Sequence, residues 1–327
     1  LCGAGDRDRL RVAQLLRDHG CNDLRTYRAG MTEWAADNAL PMARLVNYQK
    51  LVHPQWVNDL VQGLHPTTYP GRGVLLFEVG SEQRTPYARG HIPGASYFDT
   101  NTIETEPLWS RVSDRELEAA LLAHGVTHDT TVVLYGRDTS AAARVAIIMM
   151  VAGVDDVRLL DGGFGAWTSA GYRVETGTLL PSPASAFGRH TPAHPEYLID
   201  TGRARAMLAG ERAVLVSVRS WAEYTGETSG YDYVESKGRI AGAAWAGAGL
   251  TSQGMEGLRN VDGTMRSYPE IVANWRDWGI TPDKEISFYC GTGWRASEAF
   301  FYAHLMGWKR ISVYDGGWHE WSADPTN

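Results

Sequence analysis

The chain has 327 residues, a net charge of −7, 43% hydrophobic and 21% charged residues, the balance of folded domains and the length of about two. That composition argues against disorder and coiled coil, and the acidic balance argues against a nucleic-acid scaffold, which needs clustered positive charge. The longest apolar run, Val145–Ala152, is far short of the roughly 18 residues of a membrane span, so no membrane partner is expected.

In chain order, Asp6, Arg7, Asp8 and Arg9 interrupt the opening residues, so no leader peptide is visible. Leu1–Trp34 reads as a strand end, a loop, a helix stopped by Gly20, and a second strand closing on Trp34. A boundary falls near Leu40–Val46. VLLFEV (Val74–Val79) reads as a buried strand and is followed by GHIPGA (Gly90–Ala95). Val132–Trp167 then repeats the strand–loop–helix–strand order, with Val145–Ala152 as core. The Pro- and Ser-rich Leu179–Tyr197 reads as a linker. AVLVSVR (Ala213–Arg219), WAEY (Trp221–Tyr224) and GRIAGA (Gly238–Ala243) repeat the upstream half, and Ile286–Trp321 repeats the downstream half.

Gly136 to Trp167 and Cys290 to Trp321 each span 31 positions, so the last two copies align without a gap. Short apolar strands alternating with helices imply an α/β fold with short, buried parallel sheets flanked by helices. The strands Val133–Tyr135 and Ser287–Tyr289 each lead into a loop that opens onto a helix. Such a loop is where α/β domains place their chemistry. The third helix is expected to start just after Arg295, run to about Met306 and stop at Gly307. Three domains follow: 1–45, a remnant of a first copy lacking its upstream half; 46–187; and 188–327.

Cys2, Cys21 and Cys290 are too few for a disulfide framework, and no CxxC occurs. Cys290 opens the loop Cys290-Gly291-Thr292-Gly293-Trp294-Arg295. A reactive cysteine needs its thiolate stabilised, which a helix N-terminus beside an arginine does. Gly291 and Gly293 let backbone N–H groups turn inward into an anion-holding nest. A cysteine phosphatase would place its arginine six positions after the cysteine; here Arg295 is five positions on. The tighter loop suits one sulfur atom better than a phosphate group. His190 and His194 have ligand-like spacing but lie in the linker without acidic or thiol company, so no metal is expected. Neither GxGxxG nor a Walker motif is present, so no cofactor is implied.

CGTGWRAS (Cys290–Ser297) resembles the CxxGxR[AS] active-site loop of the rhodaneses, the thiosulfate:thiol sulfurtransferases. DGGW (Asp315–Trp318) with Trp321 resembles that family's closing motif, and GHIPGA and GRIAGA its early one. The resemblance implies tandem rhodanese-like domains, most similar to three-domain, exported bacterial members with the front of the first domain removed. It implies a periplasmic location, although a cytoplasmic one stays open, and a monomer. It also implies double displacement: Cys290 takes the outer sulfur of thiosulfate or a similar anionic donor as a persulfide, and cyanide, a thiol or a thioredoxin-like protein removes it. The other reading is a sulfur carrier serving one protein partner with little free turnover.

Arg295 would hold the anionic donor, stabilise the thiolate, or sit solvated on the first helical turn. Trp294 would narrow the entrance or simply pack. Arg219 and Glu223 are candidate support, lying where the family commonly shows DxR, but Ser217 stands in place of the Asp. Arg219, Lys237, Arg239 and Arg266 each read, taken singly, as exposed charges that could add positive potential. The 46–187 domain carries Gly136 in place of the cysteine, with Asp138 and Arg144 nearby, and reads as a silent domain walling the cleft. Cys2 begins CGAGDR and also matches CxxGxR. An offset of 133 that superposes Gly20 and Trp34 on Gly153 and Trp167 puts Cys2 on Tyr135, one residue before the nucleophile position. Cys2 is therefore expected to be non-catalytic, and Cys2→Ala to retain full activity.

Overall fold

The computed structural model describes residues 6–27, 45–81 and 84–327. The chain divides into two compact units, Leu1–Arg44 and Leu45–Asn327. In the first unit, α1 (Asp6–Asp18) is followed by Gly20 in the left-handed region at φ 86°. The offset of 133 places Asp6 on Thr139, where the corresponding helix of the next copy begins. Cys2 and Trp34 lie outside the described residues.

The second unit contains two five-stranded parallel sheets. The first is built from β1 (Leu51–Val52), β2 (Val74–Gly80), β3 (Ser96–Asp99), β6 (Thr131–Gly136) and β7 (Asp156–Leu160), in the order β1-β7-β6-β2-β3. Between β3 and β6, the two-residue strands β4 (Glu104–Thr105) and β5 (Ser110–Arg111) pair antiparallel. The second sheet runs β10-β9-β11-β12-β8, from β8 (Leu198–Ile199), β9 (Ala213–Ser217), β10 (Ala244–Trp245), β11 (Glu285–Tyr289) and β12 (Ile311–Tyr314). The two orders correspond strand for strand, as the repeat in sequence requires.

Helices cover these sheets. In the first domain they are α2 (Pro54–Val61), α3 (Arg84–Arg89), α4 (Asp114–Ala123), α5 (Thr139–Ala152) and α6 (Gly163–Ser169). In the second they are α7 (Thr201–Leu208), α8 (Trp221–Thr225), α9 (Tyr268–Asp277), α10 (Trp294–Leu305) and α11 (Gly317–Ala323). Every residue of α5 from Ser140 onward is buried, as a helix apolar on all sides must be. It packs against the largely buried α10, and side chains of both helices join one core that continues across the two domains. The apolar run Val145–Ala152 is thus core helix.

Two devices start α10. Gly293 caps it at φ 106°, in the left-handed region that favours glycine, so the helix begins at Trp294 rather than after Arg295 as expected from sequence. Ser297 then donates from both its N–H and its hydroxyl to the Gly293 carbonyl, each at 2.8 Å. Gly307, at φ 81°, follows the helix as its stop.

Candidate active site

Cys290 follows directly on β11 and is 2% exposed. Its Sγ accepts from the Gly293 N–H at 3.2 Å, a bond made possible by the left-handed turn at Gly293. The carbonyls of Cys290 and Gly291 accept from the backbone N–H groups of Trp318 (2.8 Å) and His319 (3.1 Å) in the first turn of α11. That explains the second glycine of the closing motif. A Cβ on Gly317 would lie 2.4 Å from the Gly291 carbonyl oxygen, so the turn fits under the loop only without a side chain.

Arg295 is buried, not solvated. Its guanidinium makes two bonds to Glu223, at 2.9 and 2.7 Å, and donates to the Tyr231 hydroxyl. Glu223 sits in the first turn of α8, where it forms a capping box with Ser220. Burial pushes the Glu223 carboxyl up, but the Arg295 hydrogen bonds and charge, with those from Ser220, hold it down at about 2. Glu223 therefore supplies the carboxylate support that Ser217 cannot. Arg219, a candidate support residue that taken singly reads from sequence as an exposed charge, is fully buried. Its Nε lies 3.6 Å from Glu223, its Nη1 donates to the Gly238 carbonyl at 2.8 Å, and its guanidinium lies over the Trp318 ring. Lys237 and Arg239 are exposed and Arg266 is half-buried.

Tyr231 is a site residue that sequence reasoning missed. Its hydroxyl accepts from the Gly291 N–H at 2.7 Å as well as from Arg295, and burial pushes it well above the ordinary phenol range. Its ring fills the space a Cβ on Gly291 would need, 2.4 Å away. The only hint in sequence was a pair of tyrosines, Tyr231 and Tyr233, in a loop between Trp221–Tyr224 and Gly238–Ala243. Tyr233 is 3.5 Å from the Thr292 hydroxyl.

Cys290, Thr292, Trp294 and Arg295 line a cleft of about 330 Å³ with Tyr231, Tyr233, Met255 and Arg259. Its opposite wall is Ser81, Trp109, Asp138 and Ser140 of the 46–187 domain, which accordingly walls the cleft. Trp294, on the Cys290 side, is half-buried, its indole N–H donating across to Glu104 of the 46–187 domain at 2.9 Å. Arg259 is tied to the buried Glu298, so each arginine facing the cleft already has a carboxylate partner. Asp138 keeps a side chain 55% exposed.

The family model of the rhodanese-like domain matches residues 56–170 and 200–324. The chain belongs to the rhodanese-like family. It is 51% identical over 309 residues to the thiosulfate sulfurtransferase YnjE of Escherichia coli K12, covering 93% of this chain and 71% of that protein. The YnjE crystal structure superposes with a TM-score of 0.92 at 48% identity, over 99% of this chain and 77% of that one. The sulfur carrier protein TtuD of Thermus thermophilus is 33% identical over 72% of this chain and 83% of its own length. The anaerobic ergothioneine biosynthesis enzyme of Chlorobium limicola, solved with trimethyl histidine, superposes at a TM-score of 0.95 and 42% identity, over all of this chain and 80% of that one. This kinship supports sulfurtransferase activity for the chain.

Proposed function

We propose that Cys290 carries the sulfur as a persulfide. Its thiolate attacks the outer sulfur of thiosulfate, the S–S bond to the sulfonate breaks, and sulfite leaves with that bond's electron pair. The persulfide then gives its outer sulfur to a nucleophile such as cyanide or a thiol, including that of a thioredoxin-like protein, and the Cys290 thiolate returns. The observation that carries this reading is the buried Sγ at the floor of an open cleft, facing the Gly293 N–H. Thiosulfate as donor is supported by the likeness to YnjE. The test is a thiosulfate-to-cyanide assay with mass analysis of the Cys290 peptide. One added sulfur and thiocyanate production are expected, and Cys290→Ser should lose both while keeping its thermal midpoint. A loaded cysteine without turnover would instead favour the carrier reading, which the likeness to TtuD supports.

A second acceptor class is favoured by the cleft itself. Trp109, Tyr231, Tyr233 and Trp294 line it, both arginines are neutralised by buried carboxylates, and Asp138 at the rim, 3.5 Å from Arg259, keeps a half-exposed side chain. Such walls suit an organic cation. The structures of EanB bound to hercynine and to ergothioneine belong to a neighbour of the same fold. Offering the loaded protein hercynine and cyanide side by side separates the two: a thiolated imidazole product supports the organic acceptor, and thiocyanate alone overturns it.

A further inference from the structure

Arg144 is a lone guanidinium in a helix otherwise made of Thr, Ser, Ala, Val, Ile and Met, and it is fully buried. A buried charge persists only where it is paired. Arg144 Nε donates to Glu104, and Nη2 donates to Asp315 and, at 3.2 Å, to the Trp109 carbonyl. Nη1 has no hydrogen-bond partner. It lies 3.0 Å from where a Cβ on Gly293 would sit.

Each carboxylate passes the contact on. Glu104 holds the Trp294 indole with its other oxygen. Asp315 opens the turn whose Trp318 and His319 N–H groups bind the carbonyls of Cys290 and Gly291. One side chain of the domain without a nucleophile thereby reaches both the wall and the floor of the site in the other domain.

We propose that Arg144 is the positioning residue through which the 46–187 domain holds the Cys290 loop in its reactive geometry. This rests on Cys290 being the sulfur carrier but does not depend on which donor or acceptor is used. A loosely held loop loses rate because the reacting atoms spend less time aligned.

The experiment compares Arg144→Met, Arg144→Lys, Asp315→Asn and the Arg144→Met/Asp315→Asn pair in the full chain. It reads kcat and KM with thiosulfate and cyanide, and amide exchange across residues 290–295. In folded Arg144→Met, kcat should fall about ten-fold or more with KM within about three-fold, and exchange in the loop should quicken while the β9 and β11 amides stay protected. Arg144→Lys should recover part of both effects. The double variant should be no worse than the poorer single one, since both act through one contact. Wild-type kcat and loop exchange in the folded variants, or losses that multiply in the pair, would overturn the proposal. If Arg144→Met does not fold, Arg144→Lys and Asp315→Asn decide by the same readings. Absence of turnover in the wild type would end the sulfur-transfer reading alone, and loop exchange would still decide on Arg144.

Discussion

Arg295 and Glu223 form a two-bond pair beside Cys290, and their bonding changes what Arg295 is available to do. A guanidinium that already gives two bonds to a buried carboxylate and a third to Tyr231 has little left for a donor's charge. Its work is to fix the loop. Arg295→Ala should therefore cut turnover by the same factor with thiosulfate and with a neutral persulfide donor, and it should destabilise the fold by on the order of 3 kcal/mol by leaving Glu223 buried without its main partner. Steady-state kinetics with both donors and denaturant unfolding check this. A loss confined to thiosulfate would return Arg295 to donor binding. The CxxGxR spacing announced Arg295 but not its partner, because Glu223 is 72 residues away.

At the scale of elements, the two domains are the same unit built twice with one loop open and the other closed. At the end of β6, a Cβ on Gly136 would meet the Asp138 carbonyl at 2.4 Å and the Val79 carbonyl at 3.2 Å. Backbone thus occupies the space that the Cys290 side chain has in the other copy. Gly136→Cys should not restore a second site. It should load no sulfur beyond that on Cys290, by intact-mass analysis, and lose about 1–3 kcal/mol of stability to overpacking. A second loaded sulfur mapped to position 136 would refute this. The helices that follow differ in a complementary way. Arg144 in α5 and Glu298 in α10 occupy matching positions, and each is buried and paired, Arg144 with Glu104 and Glu298 with Arg259. Each copy's DGG aspartate is also bound by the other domain: Asp315 accepts from the Arg111 N–H and Asp161 from the Met265 N–H. Arg144 is the single charge of α5, whereas α10 carries both Arg295 and Glu298.

For the molecule as a whole, acid stability has two separable parts. Burial and the charges of Lys50 and Lys309 hold His304 in α10 down at about 4. Unfolded, it titrates near 6.5, so the stability it contributes is present above about 6.5 and is lost as pH falls toward 4. Glu223, and Asp156 with its Arg158 and Lys50 partners, are each held at about 2. Their contribution is present above the ordinary carboxylate range and drains away only below it. The thermal midpoint should thus fall first as pH drops below 6.5, and His304→Gln should shrink that limb, with His124, also held down by burial, carrying the remainder, while leaving the steeper loss at lower pH. An unchanged limb in His304→Gln would assign it to another group.

The sequence by itself determined the repeat, the parallel α/β architecture, the open position of Cys290 and its closed counterpart at Gly136. These are local matters: hydrophobic period, glycine placement and a six-residue loop whose own N–H reaches the sulfur three residues back. Tertiary structure alone decided which carboxylate meets which arginine, that Arg219 is buried, that Tyr231 braces the loop, and that Arg144 reaches Asp315 across 171 residues. Spacing along a chain orders neighbours on a strand or helix, but a buried charge takes whichever partner the packing of two domains brings to it, and no local pattern records that choice.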